Sequence, residues 1–234
     1  MRVLIAVVNA HTRLAYQQCI RDTWLPLVQG ADVKFFLGPS ERLPKDDEVF
    51  LECDDSYEGL PSKVRGIMRW ASDHDYDYAV KLDDDVIIRP EQFLNSGFHS
   101  HDFTGHKNDT RQYPVPFGFS YWLSNRAMKL VADANLPNDG NDEVWVTKTL
   151  SKAGIVLNHE PRYVMYVGQR ENFVPSKVRA LRAPKRPQPY FTEPISVDRA
   201  IAWVMYFNWA GFHMVSDDRI VAEMRKVFNL YVAS

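Results

Sequence analysis

Cysteine is scarce in this chain: Cys19 and Cys53 are the only two in 234 residues. Two thiols cannot form the disulfide framework of a small secreted domain, and a reducing compartment suits them best. Long apolar runs are lacking too. The opening "VLIAVV" and the later "AIAWVMYFNWAGF" are each too short to span a bilayer, and Asn208 interrupts the second. No small-residue cleavage site follows the opening run, so it reads as a first buried strand rather than a leader. No membrane anchor is expected, and a cytoplasmic setting is. An excess of one charge is also missing. Lys and Arg number 28 against 30 Asp and Glu, a net charge of −2, so no global field calls for nucleic acid or an acidic partner. No internal repeat is visible. At 45% hydrophobic residues the chain can fill a core, and a single domain over 1–234 is expected.

The first ninety residues alternate. "RVLIAVVN" is a continuous apolar run, as for a strand covered on both faces. "LAYQQCIRDTWLPL" reads as a helix ending near Pro26. "DVKFFLG" and "DEVFLEC" read as strands. In "LPSKVRGIMRWASDHD" the residues Val64, Ile67, Met68 and Ala71 make a helical stripe. "YDYAVKL" is a further strand. This β-α-β-β-α-β order predicts a mostly parallel sheet with helices on its faces.

Beyond it, "GHKNDTRQYPVPFGF" reads as loop. "SNRAMKLVADANLP" and "GNDEVWVTKTLSKAGI" read as helices, the first capped by Ser124 or Asn125. Residues 171–194 form a basic, proline-rich loop carrying Lys177, Arg179, Arg182, Lys185 and Arg186, and 195–234 read as two helices.

The stretch "KLDDDVII" places Asp83, Asp84 and Asp85 at the end of a predicted strand, where open α/β sheets bind ligands. Adjacent carboxylates repel by roughly 1 kcal/mol per pair in water and about 4 at an effective dielectric near 20. A divalent cation reverses that sign. Asp83 and Asp85, two apart, point the same way in an extended chain, and oxygen ligands suit Mg²⁺ or Mn²⁺. The competing reading is a solvated acidic turn. It is less comfortable here because "VII" follows with no turn residue between.

"KLDDDVII" is similar to the K-x-D-D-D-V-F segment of the β-1,3-galactosyltransferase family. Other segments agree in the same order. "IRDTWL" resembles I-R-x-T-W, and "KFFLG" resembles an F-x-L-G strand. "DDSYEGLPSKVRGIMRW" resembles D-x-x-D-S-Y-x-N-L-T-x-K-T. "YPVPFGFSYWLS" resembles Y-P-P-Y-C-S-G-G-G-Y-V-L-S, one residue shorter. "DEVWVTKTLSKAGI" resembles E-D-V-Y-x-G-x-x-L-x-x-L-G-I. The likeness covers about residues 1–158. It implies a GT-A fold: a Rossmann-like α/β/α domain with a mostly parallel mixed sheet and C-terminal helices, in which 1–90 would be the nucleotide-binding half and 91–170 the acceptor half.

The resemblance also implies inverting transfer of a sugar from a nucleotide sugar, a UDP-sugar by family habit, to an acceptor hydroxyl on a glycan or other compound, with Mn²⁺ (or Mg²⁺). Carried over by motif, Asp85 and Asp83 fall on the metal. A histidine ligand from later in the chain would be His159 or His213; neither lies in a matching segment, and His159 is preferred because it follows the helix that carries the base. Asp83, Asp84, Arg21, Asp55, Lys63 and Gly118 fall on the donor, with Asp55 placed to accept from a uracil N–H and Lys63 to meet phosphate or the acidic cluster. The base falls on Glu143, or on Asp142 because the order here is Asp-Glu. Three further readings stay open. They are the same transfer to hydroxymethylated DNA bases along the basic loop, a non-catalytic nucleotide-sugar-binding module, and a metal-dependent phosphohydrolase.

Overall fold

The computed structural model describes residues 1–108, 114–137, 141–166, 201–205 and 217–232. Its frame is a seven-stranded sheet in the order β3-β2-β1-β4-β7-β6-β8. The strands are β1 (Val3–Val8), β2 (Asp32–Leu37), β3 (Glu48–Phe50), β4 (Tyr78–Asp83), β6 (Phe103–Lys107), β7 (Pro116–Ser124) and β8 (Asn158–His159). Four of the six neighbouring pairs are parallel, and β7 runs antiparallel to both β4 and β6. The α/β reading with a mostly parallel mixed sheet therefore holds.

Side-chain alternation on β1 explains why it lies in the middle. Val3, Ile5 and Val7 enter one apolar cluster, while Leu4 and Ala6 enter the other. Helix α1 (Leu14–Asp22) and helix α6 (Asp217–Tyr231) cover the first face. Helices α2 (Leu60–Asp73), α4 (Asn125–Ala132) and α5 (Asp142–Lys152) cover the second. The stripe expected on α2, Val64, Ile67, Met68 and Ala71, is fully buried there. Ser124 caps α4 by accepting the amide of Ala127 at 3.2 Å. A short helix α3 (Pro90–Leu94) follows strand β5 (Val86–Ile88). Cys19 and Cys53 are free thiols.

Three regions differ from the sequence expectation. The aspartates do not run on as extended chain. Asp84 and Asp85 form a tight turn, and the chain leaves the main sheet there to enter β5 (Val86–Ile88). The segment read as loop supplies the end of β6 and the start of β7. Its periodicity is hidden because β7 bulges: Lys107 faces Pro116 and Gly105 faces Tyr121, so two steps on β6 span five on β7. Lastly, the first of the two expected C-terminal helices is, where described, a strand. β10 (Ala202–Met205) pairs parallel with β9 (Tyr163–Tyr166) and antiparallel with β5. A short apolar run reads equally as buried helix or strand, and here the open edges of β5 and β9 decide it.

The two sheets are joined by aromatic packing. Trp122 stacks on Phe98 with ring centroids 3.7 Å apart, and its indole N–H donates to the Tyr163 hydroxyl at 2.7 Å. Trp122→Ala should cost about 3–5 kcal/mol, read as a lower urea midpoint, and Trp122→Phe about 1–3 kcal/mol for the bond left unmade.

Candidate active site

The acids gather where β1, β2 and β4 end, beside the bulge of β7 and the first turn of α5. The three aspartates are unequally exposed: Asp84 and Asp85 are buried, and Asp83 is partly open. Asp84 is buried, and two groups hold it. Asn9, just past β1, donates to Oδ2 at 2.7 Å. Arg13 grips both oxygens, with Nε at 2.8 and 3.1 Å and NH2 at 2.6 Å. Arg13 in turn lies over the Tyr16 ring, 3.8 Å from its centroid. Burial pushes the Asp84 carboxyl up, against the pull of Arg13. Asp84 is thus turned into the protein, which removes it from the donor-facing set.

Asp83 is a third exposed and bonded to Lys81. Lys81 is buried on the same strand and donates to Asp83 Oδ1 at 2.5 Å and to the Gly118 carbonyl at 2.5 Å. The β7 bulge brings that carbonyl within reach. The ammonium also lies 3.9 Å from Asp142 Oδ2. Burial alone would lower its pKa, but Asp142 and Asp83 outweigh burial and raise it, so it stays charged.

At the start of α5 the two acids part. Asp142 is buried and accepts the Tyr121 hydroxyl at 2.6 Å. Burial raises its carboxyl, opposed by Lys81 and Tyr121. Tyr121 itself is held far above the ordinary phenol range by burial and by Asp142, so it remains a donor. Glu143 instead lies against Gly118. A methyl placed on that glycine would sit 3.3 Å from Glu143 Oε2. Tyr57, exposed nearby, feels these acids: burial, Glu143 and Asp142 raise its phenol.

A cleft of about 560 Å³ opens beside this cluster, lined by His11, Thr12, Gly38, Pro39, Cys53, Asp54, Asp55 and Ser56. Asp55 at its floor is occupied from within. It accepts the Gly38 amide at 2.5 Å, the His11 amide at 3.1 Å and the Lys63 ammonium. Three donors leave little capacity for a base N–H, contrary to its expected role. Lys63 is buried and also donates to the Asn9 carbonyl at 2.7 Å, so it braces the end of β1 rather than facing phosphate. Gly38 is required for this packing, since a Cβ there would stand 2.9 Å from the Asp55 carboxyl.

Two expected residues lie elsewhere. Arg21 makes a bidentate pair with Asp47, both contacts at 2.8 Å, and touches Glu48 at 3.4 Å. It orders the β3 edge and does not join the acids. His159 stands on β8, in the same row as Gly105, Tyr121 and Lys81. Three strand spacings of about 4.8 Å put it roughly 14 Å from β4, and its Nδ1 accepts the Lys107 amide at 3.1 Å. It cannot share an ion with Asp83 and Asp85. His213 and the basic series Lys177, Arg179, Arg182, Lys185 and Arg186 lie outside the described residues. Trp24 is buried, and its indole N–H donates to the Val86 carbonyl at 3.1 Å.

Among the described residues no group of three or more His, Cys, Asp or Glu is placed to hold a metal. Asp83 and Asp85 remain, and two carboxylates are a suitable donor set for Mg²⁺ or Mn²⁺ when substrate phosphates and water complete the shell. Sequence reading missed Asn9, Arg13, His11 and Tyr121. Asn9 carried a signal, being the first polar residue after a buried strand at the ligand-binding end of a sheet.

Residues 17–116 match the family described as Galactosyltransferase. No curated protein sequence matches the chain. Among solved structures, the apo form of the glycosyltransferase GlyE from Streptococcus pneumoniae TIGR4 aligns at 10% identity with a TM-score of 0.44, covering 69% of this chain and 46% of its own. The chain thus spans less than half of that protein's length. No helix among the described residues is long and apolar enough to cross a membrane.

Removing Arg13 should expose the cost of the buried acid. Arg13→Ala leaves Asp84 without its cation, an expected loss of about 3–5 kcal/mol at neutral pH. A carboxyl whose folded pKa is raised favours the fold below its ordinary value near 4 and loses that contribution as pH rises through the raised value. The deficit of Arg13→Ala should therefore shrink on acidification, and adding Asp84→Asn should recover much of it. Urea titrations at pH 4 and pH 7 measure both.

Proposed function

Taking the chain as the galactosyltransferase-like glycosyltransferase indicated by its match over residues 17–116, we propose that it moves a sugar from a nucleotide sugar, a UDP-sugar, to an acceptor hydroxyl with inversion at the anomeric carbon. One observation carries this reading. A buried cation, Lys81, ties Asp83 on the donor side to Gly118 and Asp142 on the base side, so the acids that would meet a diphosphate and the first turn of α5, which carries the acid that would take a proton, form one contiguous unit.

Asp85 and Asp83 would hold the divalent cation, Mn²⁺ or Mg²⁺. When bound, such an ion neutralises the charge that grows on a departing diphosphate. The protein's own groups do the rest. Inversion requires a base on the face of the sugar opposite the leaving group. Of the two acids on α5, Asp142 is engaged by Tyr121 and Lys81, which assigns it to positioning. Glu143 is then the group that accepts the acceptor's hydroxyl proton, and Gly118 leaves room for its carboxylate. Asp84 takes no ligand. Clamped by Arg13 and Asn9, it fixes the turn that sets Asp83 and Asp85. The two free thiols accord with a reducing, cytoplasmic setting.

Release of free nucleoside diphosphate from a panel of nucleotide sugars tests the reading, first with Mn²⁺ and then with EDTA. One donor should turn over slowly even without acceptor, and EDTA or Asp85→Asn should stop it. Glu143→Gln should lower transfer by about 10²–10⁴-fold with donor affinity nearly unchanged. Full turnover by Glu143→Gln would show that the base lies elsewhere.

A further inference from the structure

One imidazole lines the cleft beside the acids. His11 lies on its wall and is about a quarter exposed. Its backbone amide is tied to Asp55 Oδ2 at 3.1 Å, and its ring packs edge-on against Phe50 at 5.3 Å between centroids. Nε2 is 3.0 Å from the Gly38 carbonyl. A carbonyl can only accept, so in the neutral imidazole Nε2 carries the proton and Nδ1 the lone pair. A flipped ring would forfeit the Gly38 bond. Asp55, the carboxylate expected to accept from the base, is already met by three donors.

We propose that His11 selects the nucleobase, its Nδ1 accepting a ring N–H and so favouring uracil over cytosine. This rests on the nucleotide-sugar reading above. Uracil presents N3–H between two carbonyls. Cytosine presents a lone pair at the same ring position, and two acceptors facing each other leave both unsatisfied. Selectivity then comes from one fixed tautomer. It is set by Gly38, whose carbonyl position depends in turn on the close approach of Asp55 that only a glycine permits.

Titration calorimetry with UDP and CDP, both in the presence of Mn²⁺, tests the assignment without requiring turnover. Wild type should bind UDP about tenfold more tightly than CDP, a difference of about 1.4 kcal/mol. His11→Phe keeps a ring against Phe50 and removes the acceptor. It should bind the two within about twofold of each other, through weaker UDP binding. His11→Gln offers both an amide N–H₂ and an oxygen, should keep part of the preference, and serves if the phenylalanine variant does not fold. A uracil preference intact in these variants would overturn the proposal. Equal affinities in wild type, with binding of both nucleotides weakened by Asp85→Asn, would overturn the role of His11 and leave the nucleotide-sugar reading standing. Absence of binding by either nucleotide would remove both.

Discussion

Arg13 and Lys81 are the internal counter-charges of the β4–β5 turn, and the site is arranged around them. Three adjacent carboxylates repel by several kcal/mol at the effective dielectric of a protein interior. Arg13 meets Asp84 from α1's approach, and Lys81 meets Asp83 from within β4. Each cation is itself fixed, Arg13 over Tyr16 and Lys81 by the Gly118 carbonyl. The protein thus sets two fixed cations against its acids before any ligand arrives. Geometry follows from this. The turn is locked, the chain can leave the main sheet for β5, and the bulge of β7 is drawn toward β4.

That neutralisation also separates two pairs of neighbours into different roles. Asp84 points inward while Asp83 is partly open. Asp142 is buried against Tyr121 while Glu143 lies along Gly118. In both pairs the more buried acid, Asp84 or Asp142, is pinned by side chains from other elements and so fixes the backbone of the one beside it. Each acid lies in a setting where burial alone is unfavourable, so a partner removed from one of them changes the shape of the next.

Much of the first half was legible because buried strands and amphipathic helices have clear periods. β1, β2, β4 and α2 lie where the pattern places them. The bulged β7 was not, since a bulge breaks the period of two, and neither was β10, whose four residues are too few to show a period. Within the site, the sequence marked the acids of the β4–β5 turn and of α5, and the structure brings them together. It could not show which of them already have partners. Arg13 and Asp84 are 71 residues apart, and Lys63 reaches Asn9 across 54. Sheet order was equally hidden, and it is the order β4-β7-β6-β8 that puts His159 out of reach.

The central claim is that Asp83 and Asp85 form an incomplete cation site that a diphosphate completes. Electron paramagnetic resonance of Mn²⁺, titrated with the protein alone and then with UDP, tests it most directly. The account predicts weak Mn²⁺ binding alone, a strong gain on adding UDP, and loss of that gain in Asp83→Asn and in Asp85→Asn with the fold intact. Mn²⁺ binding that ignores UDP, or that survives both substitutions, would contradict it.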